Sequence, residues 1–339
     1  MAMQSRNTAH DSAAESAIQA GDKATALREL IDANRLAPDP EREIQIRDVR
    51  LTDELYGQRT PPSFEETPVS LTYTSGMPTC NLHDVTPAVI RAAFKDKGCL
   101  YIPGAIDSAE VASMKEAIDG AQCTIDNTGD EEPQWCSYPR LATKQQAFSL
   151  ASARSMAHQL GGRLAVDSPR AMFRICEMFD RQGILSLAQE YLGERPAFSA
   201  SKFMLWKVPG EGPATGWHQD GRFLGDAIDI ASLNLWTVLS DCGEDAPGLD
   251  IVLKYFDEYI MAAEDSHFDW SVSDTQVDAM RDSVEVVSPL FKAGDMLMFD
   301  NWLLHRTGRR PGMTRHRYAI ESWFFAPSVF PVGRIAMMA

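Results

Sequence analysis

Apolar side chains recur every three to four positions through the first sixty residues, the spacing of amphipathic helices. One run spans 13–20 behind a capping Asp11 or Ser12. After the Gly21-Asp22 turn a second carries Ala26, Leu27, Leu30, Ile31 and Ala33 as far as Pro38, and a third, 41–56, carries Ile44, Ile46, Val49, Leu51 and Leu55. The pair around Gly21-Asp22 looks like one tetratricopeptide-type hairpin, but such arrays need about three units to bury a continuous core. The plainer reading is a helical cap on a larger domain; the sharper one is a homodimer contact or a dock for a partner. Residues 57–78 are rich in Pro, Ser and Thr and predict a linker.

Beyond it, helices are expected at 85–97, 109–119, 144–159, 168–178 and 184–192, with a short strand at 99–102 and a periodless loop at 123–145. After Gly193 the texture changes to short strands: 198–208, 217–220, 232–240, 249–253, 284–287, 295–299 and 317–325. Between 232 and 240 the residues alternate, with Ser232, Asn234, Trp236 and Val238 on one face. Polar, acidic 254–283 reads as an insertion. Helices followed by many strands predict an α+β, mainly β chain, a sandwich or barrel flanked by helices. Its expected divisions are a helical extension (1–60), a linker (61–82) and a main domain (83–339).

Composition narrows the function. With 339 residues, 44% of them hydrophobic, the chain can fill a core without staples. Its 32 basic and 48 acidic residues give a net charge of −16, which repels phosphate backbones and anionic lipid. Neither nucleic acid nor a membrane is expected as partner; a small-molecule substrate is. Six cysteines without a C-x-x-C pair, no signal-like N-terminus and no membrane-length apolar run point to a reducing cytoplasm.

The chemistry concentrates in Trp217-His218-Gln219-Asp220-Gly221. On an extended chain residues i and i+2 share a face, so His218 and Asp220 can present two donors to one divalent ion, and the distant His305 would supply a third. Two imidazoles and one carboxylate leave open positions, the arrangement of non-haem Fe(II) oxygenases. The same donors also bind zinc, as in a hydrolase, which would leave the arginine strand at 315–320 without a task.

The ordered set of Leu100 to Gly104, Lys207 to Gly210, Trp217 to Asp220, Trp236, Ala293-Gly294-Asp295-Met296-Leu297-Met298-Phe299, His305 and Arg317-Tyr318-Ala319-Ile320 resembles the phytanoyl-CoA dioxygenase family over roughly residues 83 to 327. The resemblance implies a double-stranded β-helix, the cupin-like jelly roll, using Fe(II), 2-oxoglutarate and O2 for hydroxylation with release of succinate and CO2. His218, Asp220 and His305 match its metal ligands. Arg317 matches the arginine that anchors the distal carboxylate of 2-oxoglutarate, with Arg315 as fallback because the spacing from His305 is one residue longer than the family's. Thr307 and Trp236 match residues around that pocket, and Asn234 would donate to 2-oxoglutarate or substrate. Asp220 stands where related halogenases carry a small residue. A Gly-Ser-His turn common in the family is missing after Val252, so no relative's substrate transfers. Desaturation, cyclisation or epimerisation at the same iron, and a non-catalytic cupin-like scaffold, are the competing readings.

Overall fold

In a computed structural model, residues 2–52, 68–122, 132–224 and 230–339 are described. The chain begins with α1 (Ala2–Gln19), α2 (Lys23–Leu36), α3 (Pro40–Arg50) and β1 (Leu51–Thr52). After it come β2 (Thr72–Thr74), β3 (Met77–Thr79), α4 (Pro87–Lys97), β4 (Cys99–Ile102), α5 (Ser108–Gly120), α6 (Lys144–Gln159), β5 (Gly162–Leu164), α7 (Pro169–Arg181) and α8 (Ile184–Leu192). The strand-rich half holds β6 (Ala197–Val208), β7 (His218–Gln219), β8 (Ser232–Val238), β9 (Gly248–Val252), α9 (Asp274–Met280), β10 (Val286–Val287), β11 (Met296–Phe299), β12 (Leu304–Gly308), β13 (Arg317–Phe325) and β14 (Ala336–Met338).

Two sheets face each other as a jelly roll. The larger runs β1-β14-β6-β13-β8-β11-β4-β3-β2, with β5 pairing β6; the smaller runs β10-β9-β12-β7. Alternation sorts the larger sheet's side chains. Leu233 and Leu235 of β8 and Met296 and Met298 of β11 enter the core beneath the helices. Trp236, Val238, Leu297 and Phe299 instead meet Leu249 and Ile251 of the smaller sheet. The even positions of β8 therefore point into the barrel, where Asn234 also belongs.

The helical extension packs on its own chain. Leu27, Leu30, Ile46 and Ala14 form a small core that Phe173 of α7 and Met338 of β14 complete. Arg47, almost fully buried, donates to the carbonyls of Ser137 and Val166, and Arg50 donates to that of Met338 at 2.7 Å.

Several expectations change. α1 runs straight through Asp11 and Ser12 rather than starting there, and Asp11 pairs with Arg42 on α3. The third helix stops at Arg50, where the chain turns into β1 against β14. Within the expected linker, 72–79 form a hairpin whose second strand runs parallel to β4, despite its prolines; 61–67 lie outside the described residues. Of the loop expected at 123–145, residues 123–131 also lie outside them. Cys136 is disulfide-bonded, whereas Cys80, Cys99, Cys176 and Cys242 are free. Among the described residues no helix is long and apolar enough to cross a membrane.

Candidate metal centre

His218 and His305 face each other across the β7–β12 pair as register partners, their ring centroids 4.4 Å apart. Asp220, where the chain leaves β7 in a 3-10 turn, puts Oδ1 3.5 Å from His218 Nε2 and 3.9 Å from His305 Nε2. One donor atom from each of the three residues lies within 4.8 Å of the others, and all three are buried. Both imidazoles are oriented alike: Nδ1 of His218 meets the Gly216 carbonyl at 2.7 Å and Nδ1 of His305 the Leu303 carbonyl at 3.1 Å. Each Nδ1 is thereby the protonated nitrogen, which leaves Nε2 with its lone pair toward the centre.

Burial, then the neighbouring His218, pushes the His305 imidazole down to about 4, so it stays neutral and able to ligate well below ordinary pH. Burial works against ionisation of Asp220, but the adjoining His218, His305 and Lys202 side chains outweigh it and hold the carboxyl below its usual range. Asn234 Nδ2 donates to Asp220 Oδ2 at 2.7 Å. In this structure the Asn234 amide is thus engaged with the carboxylate of Asp220.

The two residues not facing the centre have work of their own. Gln219, fully buried on the opposite face, donates to the Trp302 carbonyl at 2.9 Å and accepts from the Ile260 amide at 2.8 Å. Gly221 must lack a side chain, because a Cβ there would stand 2.1 Å from Tyr259 Oη. Its amide donates to the Asn301 carbonyl, and Asn301 Nδ2 donates to the Tyr259 hydroxyl. The acidic stretch read as an insertion thus braces the centre, and it also sets Trp270 edge-on to His218 at 6.2 Å.

Arg317 lies deeper in the barrel, 4% exposed, its guanidinium 5.4 Å from the Trp236 ring centroid. It donates to the Gly248 carbonyl at 3.1 Å, while among the described residues its Nε has no partner. A buried guanidinium without a carboxylate partner suits a bidentate carboxylate ligand, and burial drives its pKa down, so an incoming anion would be bound strongly. Thr307 shares the face of β12 with His305 and sits opposite Leu249, next to Gly248. Arg315 precedes β13, is exposed, and is removed as the fallback anchor. Arg306 and Arg310 both pair with the buried Asp250.

A family model described as phytanoyl-CoA dioxygenase (PhyH) matches residues 94–316. No curated protein matches the chain. Among solved structures, it is similar to EctD from S. alaskensis, determined with 2-oxoglutarate and 5-hydroxyectoine: TM-score 0.50, 15% identity, covering 81% of this chain and 87% of that one. It is also similar to the non-haem alpha-ketoglutarate-dependent carbocyclase SnoK from nogalamycin biosynthesis (TM-score 0.47, 14% identity, 73% and 86% covered). The epimerase SnoN, solved with Fe3+, alpha-ketoglutarate and nogalamycin RO, gives a TM-score of 0.43 at 18% identity, covering 70% and 83%. At these identities the likeness to EctD speaks for the fold.

Proposed function

The chain belongs to the phytanoyl-CoA dioxygenase family of Fe(II)- and 2-oxoglutarate-dependent oxygenases, and from that premise we propose that it hydroxylates an unactivated C–H bond of a small-molecule metabolite. The observation that carries this reading is the pairing of two features in one barrel: three ligand-grade donors within 4.8 Å of one another, and the buried Arg317 guanidinium, which has no carboxylate partner among the described residues. A zinc hydrolase would use the first and leave the second without a function.

In the proposed division of labour, Nε2 of His218, Nε2 of His305 and a carboxylate oxygen of Asp220 hold the metal. Asn234 and the Gly216 and Leu303 carbonyls fix the orientation of these three side chains. Arg317 takes the distal carboxylate of 2-oxoglutarate by charge-assisted hydrogen bonds, with Trp236 stacked on the guanidinium and Thr307 nearby on the same wall. When bound, iron and 2-oxoglutarate supply the oxidising power, consuming O2 and releasing succinate and CO2 as one oxygen is delivered to the substrate. The protein's own contribution is positioning and exclusion of water: the three donors are 2% to 7% exposed. Asp220 fills the position that a halide would need and thereby supports hydroxylation over halogenation. The proposed setting is the cytoplasm: the free buried thiols at Cys99, Cys176 and Cys242 support it, and the Cys136 disulfide is the observation against it.

The test is consumption of 2-oxoglutarate by purified protein with Fe(II) across a metabolite library, with succinate and product mass read together. Iron-dependent succinate formation with a product heavier by one oxygen is expected. A product lighter by two hydrogens, or of unchanged mass, would replace hydroxylation by desaturation, cyclisation or epimerisation at the same centre.

A further inference from the structure

Phe223 packs against the His218 ring, centroids 5.3 Å apart, and also lines a cleft of about 360 Å³ between α6 and β6. The rim of the cleft is apolar and open to water: Phe148 is 70% exposed and Met156 42%, both on α6. Its inner end is cationic, with Lys202 of β6 and Arg334. Lys202 is only 9% exposed, and its Nζ lies 3.9 Å from the Phe223 ring centroid and 4.6 Å from that of Trp323. Among the described residues it makes no hydrogen bond or ion pair. The Glu321 carboxylate, whose oxygens accept the indole N–H groups of Trp206 and Trp323 at 2.8 Å and 2.7 Å, acts on it through its charge without forming an ion pair.

A buried ammonium without an acceptor is costly, and cation–π contacts offset only part of that cost. Burial accordingly pushes Lys202 down while the Asp220 and Glu321 charges act to keep its proton. Such a side chain at the end of an open, apolar-walled cleft is unexplained by packing and suited to a compact anion from outside.

We propose that this cleft seats the oxidised substrate, an organic acid whose carboxylate pairs with Lys202 and whose apolar body lies along Phe148, Met156 and Phe223, beside the metal ligand His218. The assignment rests on the oxygenase reading above. It names a substrate class for a chain whose departure after Val252 blocks transfer from relatives. A phosphate monoester offers the same oxyanion chemistry, and the experiment separates the two.

Binding of hexanoate, hexanamide and hexyl phosphate is measured by calorimetry, anaerobically, on protein loaded with Fe(II) and saturating 2-oxoglutarate, for wild type, Lys202→Met and Lys202→Arg. Hexanoate is expected to bind wild type at least about tenfold more tightly than the isosteric amide, equivalent to about 1.4 kcal/mol. Lys202→Met should erase that difference and Lys202→Arg retain it, with the visible absorption of the 2-oxoglutarate–iron chelate unchanged in both. Equal binding of acid and amide, no binding of the acid, a preference that survives Lys202→Met, or tighter binding of hexyl phosphate than of hexanoate would each overturn the carboxylate assignment. Loss of the chelate absorption in wild type would instead sink the oxygenase reading, and the acid–amide preference would then be read on the metal-free protein.

Discussion

Replacing Asn234 with Ala removes a 2.7 Å donor from Asp220 Oδ2 in a fully buried setting while leaving every metal donor in place. Outer partners of this kind typically carry 10–100-fold in metal affinity. The Asn234→Ala variant should therefore bind Fe(II) about that much more weakly in a metal titration, with 2-oxoglutarate affinity at saturating iron little changed; the opposite split would return Asn234 to the co-substrate. Asp300 offers a test by pH. Burial, despite an amide donated by Trp302, pushes its carboxyl up from the usual 3.8 to about 7. Between those values the folded chain keeps a proton that the unfolded chain has lost, so the folded state binds more protons and stability falls as pH rises across the interval. Asp300→Asn should raise Tm by a few degrees at pH 8 and much less at pH 5, and equal shifts at both would contradict the assignment. The three candidate metal donors could be named from sequence because their motif order is distinctive, and the structure brings them within 4.8 Å of one another; Arg317 could be named for the same reason, and it is buried in the same barrel. Lys202 could not be named: a single lysine in a strand reads as an exposed edge, and only the closure of β6 against Phe223 and Trp323 buries it.

The H-x-D strand is a short element, two residues of β7 and a 3-10 turn, and it holds its register through neighbours rather than through its own ladder. Gly221 is the pivot. Adding a methyl there drives Tyr259 away from Asn301 and from its stack on Trp302, whose centroid lies 4.3 Å away. Gly221→Ala should cost about 1–3 kcal/mol in denaturant unfolding and weaken Fe(II) binding, and adding Tyr259→Ala should recover part of both because the two sites share one contact. Full additivity of the two changes would remove the proposed clash. The Gly294-Asp295 pair works in the same manner on β11. Gly294 adopts a φ of +100°, and Asp295 accepts from the Tyr101 hydroxyl, the Gly104 amide and the Lys292 amide, tying the β11 entry to the end of β4. From sequence the motif was visible as a marker, but its partners Tyr101 and Gly104 were not, because they lie nearly two hundred positions away. The hairpin at 72–79 was hidden for the reverse reason: local proline content argued for a linker, and pairing with β4 overrode it.

At the scale of the molecule, α3 enters the larger sheet as β1 against β14, and Arg35, Arg47 and Arg50 tie the helical extension to Glu177, Ser137 and Met338. The extension is therefore proposed to be part of one folding unit, although its sequence reads as a detachable module. Thermal unfolding followed by far-ultraviolet circular dichroism and by tryptophan fluorescence, which reports only on residues after 130, should give coincident single transitions; an earlier loss of helix alone would make the extension a separate domain. The net charge of −16 adds that the cationic sites, Arg317 in the barrel and Lys202 in the cleft, are local exceptions on an acidic chain. All of this converges on one centre, and anaerobic titration of Fe(II) into the protein with 2-oxoglutarate probes it most directly. A visible chelate band saturating at one iron per chain, lost in Asp220→Ala and needing far more 2-oxoglutarate in Arg317→Met, is the result expected. No band in wild type, or an unaltered band in both variants, would contradict it.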